Sequence, residues 1–381
     1  MENIIQAAVQ RGASDLHIKA GDVFRARING QLVPLTKQRL TPEQTRAIAL
    51  KLIPHERDRA RVDDLQDYDC SWGLPGVGRF RVNILRQRGS FMVVMRVIPF
   101  EIPTIEQLGL PPVVQDIAAL ERGMILVTGV TGSGKSSTQA AMIGFMNQNM
   151  RRHVVTLENP IEFLHRDVNC SITQREVGID TDDFRVGLRA ALRQDPDVIL
   201  IGEMRDTESI DIALKSAETG HLVISTVHTR DAAATISRLV ATFPPEEQKV
   251  VRLRLAEQLQ AVVSQRLLPK KDGKGRVLAA EVMVVSGTIR DCIADPDRTG
   301  EIPEHIAEGK TTYGMQTFDQ ALMDLVMSGQ VDYAVAKAAA TNPGDFELQM
   351  NMLSGRSGSG SGSGQQQSTP PAMAGLSQDY F

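Results

Sequence analysis

Polar and apolar residues alternate along Ser14-Asp15-Leu16-His17-Ile18 and again over residues 24–28, the period of half-buried strands. Asn29-Gly30 directly after the second run is a hairpin turn signal. A short helix over residues 3–10, ending near Gly12, precedes them. Thr41-Pro42-Glu43 opens a helix running to about Leu52, with Thr41 as its N-cap. Residues 67–72, 78–85 and 91–98 read as further strands, the last two paired across Gln87-Arg88-Gly89-Ser90. Residues 1–98 thus form an α+β domain with a mostly antiparallel sheet. In the strand 78–85, Arg79, Arg81 and Asn83 share one face while Phe80, Val82 and Ile84 share the other.

The pattern then changes. Pro99, Pro103, Pro111 and Pro112 stiffen residues 99–112 into a linker. Beyond it, short continuous apolar runs at 124–127, 153–157, 198–201 and 222–226 alternate with helical stretches. That is the signature of an α/β domain whose parallel strands are covered on both faces, here over residues 113–270. Residues 246–268 read as one long amphipathic helix, with Val250, Leu253, Leu255, Leu259, Val262, Val263 and Leu267 on its packing stripe. A helical region over 271–353 follows. The last residues, 354–381, hold Gly/Ser repeats, Gln365-Gln366-Gln367 and Pro370-Pro371, a composition that buries no core and reads as a disordered tail.

Composition narrows the function. At 381 residues the chain exceeds one ordinary domain, and 42% hydrophobic content supplies more than one core. A net charge of −4 argues against a general nucleic-acid binder. The charge is uneven: residues 1–101 carry 16 Lys and Arg against 11 Asp and Glu, so the first part is +5 and the remainder −9. Cys70, Cys170 and Cys292 lie far apart, which excludes a four-cysteine zinc site and a disulfide scaffold. The N-terminus lacks a basic-then-apolar leader, and no apolar run reaches membrane-spanning length. The expected location is cytoplasmic, with any membrane role exercised through a partner.

The chemistry lies in Gly129-Val130-Thr131-Gly132-Ser133-Gly134-Lys135-Ser136, which has the spacing G-x-x-x-x-G-K-[ST] between an apolar strand and a helical run. Such a loop turns backbone N–H groups onto phosphates. Gly129, Thr131, Gly132, Ser133, Gly134, Lys135, Ser136 and Ser137 are therefore the candidate ATP-binding residues, with the Lys135 ammonium for the β- and γ-phosphates and the Ser136 hydroxyl for Mg²⁺. Polar residues collect past the C-terminal ends of the other strands, where ligands of parallel sheets bind. Glu158 and Glu162 follow the second strand, Glu203 the third and His228 the fourth. Gly202 stands where a strand-ending acid would hold the metal, so Glu203 is cast as the catalytic base and metal-linked work passes to Glu158 or Glu162. Asp206 reads as a helix N-terminal charge.

Arg11-Gly12-Ala13-Ser14-Asp15-Leu16-His17, the phosphate loop, Glu158-Asn159-Pro160-Ile161-Glu162-Phe163, Gly202-Glu203-Met204-Arg205-Asp206, Glu218-Thr219-Gly220-His221 and Ser225-Thr226-Val227-His228-Thr229 together resemble the PilT/PilU group of type IV pilus retraction ATPases, within the secretion-ATPase superfamily. The resemblance runs from about residue 3 to residue 350. It implies a PAS-like N-terminal domain, a RecA-like ATPase domain, a small helical C-terminal part and assembly into a homohexamer. It also implies that Glu158 and Glu162 form the Asp box, Glu203 is the Walker-B glutamate, and His221 and His228 lie in the His box. Arginines reaching a neighbour's nucleotide are implied as well, with Arg81 and Arg96, or Arg193 and Arg205, as the matching positions. The expected activity is ATP hydrolysis powering pilus retraction, with an inner-membrane platform protein and a paralogous retraction ATPase as partners and no nucleic acid.

The chain departs from that pattern in places. Asn159 replaces the aspartate of the family's Glu-Asp-Pro box, and Thr288-Ile289-Arg290-Asp291-Cys292-Ile293 fits the group's Ala-Ile-Arg-Asn-Leu-Ile run only in part. Gly314-Met315-Gln316-Thr317-Phe318-Asp319-Gln320-Ala321-Leu322 fits well, and its Phe318 resembles the PilU branch. Three rival readings share the core: a DNA translocase, a type II secretion ATPase and an accessory subunit with weak turnover of its own. The first lacks a basic stripe, and the second is expected to carry a further N-terminal domain and a four-cysteine site.

Overall fold

The computed structural model describes residues 1–98 and 101–357. The first sheet contains β1 (Ala13–Lys19), β2 (Arg25–Ile28), β3 (Gln31–Pro34), β4 (Asp67–Leu74), β5 (Gly78–Gln87) and β6 (Ser90–Ile98). Their order is β3-β2-β1-β6-β5-β4, all antiparallel. Asn29 at φ 50° and Gly30 at φ 79° make the tight β2–β3 turn, the left-handed backbone that Asn-Gly tolerates. Phe80, Val82 and Ile84 point inward with Leu16, Ile18, Val93 and Met95, and helices Glu2–Gln10 and Pro42–Leu52 cover that core. Thr41 caps the second helix as its sequence predicts, and Gln44 completes a capping box.

The second sheet contains β7 (Gly123–Gly129), β8 (His153–Glu158), β9 (Ser171–Glu176), β10 (Val198–Ile201), β11 (Leu222–Val227), β12 (Leu259–Pro269) and β13 (Arg276–Val284). Their order is β13-β12-β7-β11-β10-β8-β9, parallel except for the β12–β13 pair. The four strands read from apolar runs sit in the middle. Every side chain of β7, β10 and β11 is buried, which explains their predominantly apolar sequences. The fold is the expected α/β architecture, an antiparallel N-terminal sheet and a parallel-rich second sheet.

Two expectations are corrected. The long helix over 246–268 ends at Gln258, and residues 259–269 form β12 beside β7. Leu259, Val262 and Val263 are buried as sheet residues, while Val250 and Leu253 are exposed, so no common helical stripe exists. The run from Leu259 to Leu268 is apolar enough for either periodicity, and only pairing with β7 decides it. Of the disordered tail assigned to 354–381, residues 354–357 instead continue the helix Pro343–Ser357. Residues 358–381, and Pro99 of the linker, lie outside the described residues. Phe318, Leu322 and Phe346 close a small core against β12 and β13.

Glu281 on β13 is buried opposite Ser264 and accepts the Ala232 N–H at 2.8 Å, holding the start of helix Ala232–Ala241. Burial pushes its carboxyl from an ordinary 4.5 up to about 7. The folded chain therefore keeps a proton there that the unfolded chain has lost. This contribution to stability is full below about pH 4.5 and vanishes as pH rises through about 7. Glu281→Gln retains the acceptor without the charge. It should melt higher than the parent protein at pH 8, by on the order of 2 kcal/mol, and show no gain near pH 4.5. Thermal unfolding at the two pH values checks this.

Candidate functional site

The loop from β7 into helix Lys135–Asn149 wraps one end of a cavity of about 630 Å³. Gly129 has φ 142°, and a Cβ there would meet Ser133 Oγ at 2.5 Å and the Gln265 carbonyl at 2.6 Å. The loop closes tightly only because that position is glycine. Gly134 caps the helix in the left-handed region, leaving the first N–H groups turned to the cavity. Thr131, Gly132, Gly134, Lys135, Ser136 and Ser137 line it; Gly129 and Ser133 support the loop from behind. Ser133 Oγ and Gln139 Nε2 are buried with no hydrogen-bond partner, and Gln139 lines the cavity, where its amide suits a polar ligand.

Lys135 is buried, and its ammonium donates to the carbonyls of Gly129 (2.9 Å) and Val130 (3.1 Å). Burial lowers its pKa, and the nearby carboxylates of Glu162 and Glu203 oppose that shift. A buried cation facing two carboxylates across a cavity is a site organised for anionic phosphate and a metal.

Glu203 leaves β10 over a fixed backbone. The Gly202 N–H donates to Leu157 O at 2.8 Å and Thr226 Oγ1 donates to Gly202 O at 2.6 Å. A Cβ on Gly202 would press to 3.3 Å from Leu157 O, so a side chain where the metal-holding acid of the pattern would stand would crowd β8. The Glu203 carboxylate sits 2.8 Å from Arg205 and 3.7 Å from His228 Nε2. Desolvation and then the Lys135 charge lower the His228 pKa, so its imidazole is neutral at pH 7. Glu158 is half-buried, accepts from Thr156 Oγ1 (2.7 Å) and Gln174 Nε2 (3.0 Å), and its carboxyl is pushed up by desolvation. Glu162 and Asn159 line the same wall.

Not every expected residue reaches this cavity. His221 precedes β11 while His228 follows it, so about 20 Å of strand separates them. His221 Nδ1 lies 2.9 Å from Ser216 O, a local contact. Arg96 donates to Asp15 at 3.0 Å within the first sheet, and Arg193 donates to Arg189 O at 3.1 Å at the end of helix Phe184–Ala191. Asp206 caps helix Thr207–Glu218 through Ser209 N, the role its position predicts.

Arg81 and Arg205 do line the cavity. The resemblance offers Arg81 as one of the arginines for a neighbour's nucleotide. In the structure it lies at the cavity of its own chain. The reason is Glu176 at the end of β9, which is buried and accepts Arg79 (3.0 Å), the Ser71 hydroxyl and the Ile161 N–H (3.0 Å). That carboxylate ties β4 and β5 to the loop bearing Glu158 and Glu162. His55 adds a contact to Gly178 O at 2.6 Å. Sequence reasoning missed Glu176, Gln174 and Arg276. Arg276 lines the cavity from β13 and belongs to the basic hairpin Lys270-Lys271-Asp272-Gly273-Lys274-Gly275-Arg276, a signal visible in the sequence.

A glycine loop on the carboxyl edge of a parallel sheet, with a buried lysine facing acids and an imidazole, defines a P-loop nucleotide-hydrolase site. Residues 1–341 match the family described as "Type II/IV secretion system protein". The chain is 42% identical to the "Type IV pilus retractation ATPase PilT" of Pseudomonas aeruginosa, over 90% of this chain and 98% of that protein. It is 40% identical to "Type IV pilus ATPase PilU" of the same organism, over 92% of this chain and 91% of that protein. The crystal structure of the pilus retraction motor PilT with bound ADP superposes with a TM-score of 0.82 at 43% identity, over 91% of this chain and 99% of that one. The chain belongs to the Type II/IV secretion system protein family, among its PilT/PilU-type pilus retraction ATPases.

Proposed function

We propose that the protein is a motor that hydrolyses ATP to drive type IV pilus retraction, removing pilin subunits from the pilus base. The observation that carries this is the cavity in which Lys135, held by Gly129 O and Val130 O, faces Glu162 and Glu203. Backbone N–H groups of residues 132–137 and the Lys135 ammonium bind the phosphates. Ser136, with Glu158 or Glu162 behind it, would hold Mg²⁺. When bound, that ion neutralises charge on the β- and γ-phosphate oxygens. Glu203 accepts the proton of the attacking water, the γ-phosphoryl passes to that water, and ADP leaves. Neutral His228 beside Glu203 senses the γ-phosphate end. Arg81 and Arg205 supply positive charge at the rim.

The proposal extends to a homohexameric ring at the inner face of the inner membrane, docked on a platform protein and working beside a paralogous retraction ATPase. No helix among the described residues is long and apolar enough to cross a membrane, which fits attachment through a partner. Residues 1–98 serve as first domain; the ATPase domain assigned to 113–270 extends through β13, which completes its sheet, so the C-terminal helical region assigned to 271–353 begins only after Val284. Deleting the gene should abolish twitching and leave pili extended, and complementation should require ATP turnover by this chain. Asn159 at the cavity wall favours one second reading, an accessory subunit. Purified chain with no steady-state ATPase activity, yet able to restore twitching, would establish that reading instead.

Arg81→Ala tests the rim. With the arginine serving its own chain's cavity, turnover should fall by about tenfold to a hundredfold, below the 10³–10⁵ of a fully engaged arginine finger. Mixing Arg81→Ala chains with Lys135→Ala chains should restore nothing, because neither chain then has both residues at one site. Recovered activity in mixed assemblies would return Arg81 to a neighbour's nucleotide.

A further inference from the structure

Away from the nucleotide cavity, three side chains from consecutive elements converge. Cys292 lies in helix Gly287–Ala294, Glu301 ends the 3₁₀ turn Pro296–Glu301, and His305 lies in helix Ile302–Glu308. One ligand atom from each falls within 4.8 Å of the other two. Cys292 Sγ and His305 Nε2 each stand 3.8 Å from Glu301 Oε2. A tetrahedral ion with sulfur, nitrogen and oxygen ligands at its usual bond lengths needs ligand atoms about 3.3–3.6 Å apart. Small side-chain rotations close that difference.

The histidine carries the second observation. Its Nδ1 faces Glu308 Oε2 at 3.3 Å, while Nε2 is buried and makes no hydrogen bond. With Nδ1–H donated to a carboxylate, the neutral ring bears its lone pair on Nε2, directed at Glu301 and Cys292. Metal-bound histidines are oriented in this way, with the second nitrogen tied to a carboxylate. Left apo, the same arrangement strands a buried acceptor. We propose that Cys292, Glu301 and His305 bind a divalent transition ion of the Zn²⁺ class, with Glu308 orienting the histidine.

Thiolate, imidazole and carboxylate together select Zn²⁺ or Co²⁺ over Mg²⁺ or Ca²⁺, which prefer all-oxygen shells. Binding replaces the thiol proton, released to solvent, with a sulfur–metal bond. Arg298 donates to Glu301 Oε2 at 3.0 and 3.1 Å. A carboxylate offers two oxygens and about four lone-pair positions, so Glu301 can keep Arg298 and still ligate. The half-exposed Glu301 side chain gives the ion its entry from solvent. The bound ion would join helix Gly287–Ala294 to helix Ile302–Glu308 beside Arg252, which donates to Ile293 O and Thr299 Oγ1 at 2.9 Å each.

The test uses the full chain, stripped with a chelator, reduced and free of nucleotide, titrated with CoCl₂. One equivalent should produce a near-ultraviolet thiolate-to-cobalt charge-transfer band, and ZnCl₂ should displace it. His305→Gln at the half-buried edge and Cys292→Ala should each weaken binding by roughly tenfold or more, with Cys292→Ala losing the band and Cys70→Ala keeping it. Absence of the band in the parent chain, its survival in Cys292→Ala, or full affinity in His305→Gln would each overturn the site. ATP turnover plays no part in this readout, so failure here leaves the nucleotide site untouched.

Discussion

Lys135→Ala should lower ATP turnover by roughly 10³-fold or more while leaving the chain folded. The side chain is buried, yet its contacts are the two loop carbonyls of Gly129 and Val130 rather than the apolar cores. Removing it exposes no apolar surface and leaves both sheets intact. What disappears is the one cation rooted in the loop itself, poised between the phosphates and the carboxylates of Glu162 and Glu203. Without it those two negative charges face the γ-phosphate uncompensated, so nucleotide affinity should fall together with the rate. Steady-state phosphate release, nucleotide binding by fluorescence and circular dichroism on the same preparation check all three parts. Normal turnover would remove the loop from the chemistry.

Glu203→Gln should separate binding from hydrolysis. Glutamine preserves the shape of the side chain beside Arg205 and His228, and its amide oxygen still accepts from Arg205. It cannot take the proton of the attacking water. Loss of a positioned general base costs on the order of 10²–10⁴ in rate. ATP should bind at least as tightly as in the parent chain, because one negative charge has left the cavity. Single-turnover kinetics with pre-bound ATP isolates the chemical step. If Glu203→Gln turns over normally and Glu162→Gln does not, the base is Glu162, whose charge also acts on Lys135.

Sequence and structure agree where one local rule decides the outcome. The phosphate loop, the hairpin at Asn29-Gly30, the capping box at Thr41 and the buried strands β7, β8, β10 and β11 each follow from short-range chemistry. An αL glycine, a side-chain oxygen near free N–H groups and an unbroken apolar run mean the same thing in most surroundings. Agreement fails where two readings of the same residues differ little in local energy. Residues 259–268 are apolar enough for a helix or a strand, and β7 decides by offering unpaired edge groups. His221 and His228 look equivalent in sequence, but a six-residue strand puts them at opposite ends of the sheet.

The sequence by itself determined the class of chemistry: a phosphate-binding loop with Lys135 and Ser136, and acids and an imidazole placed after neighbouring strands. Those strands had to be parallel and buried, so their C-terminal ends had to meet. Only the tertiary structure decided which side chains share the cavity. It brings Arg81 to the cavity of its own chain, leaves Arg96 and Arg193 in contacts outside it and gathers Cys292, Glu301 and His305. The physical reason is that the make-up of the cavity depends on partners far away in the chain. Glu176 gathers Ser71, Arg79 and the Ile161 N–H from segments up to 105 residues distant, and no local propensity encodes a contact of that reach.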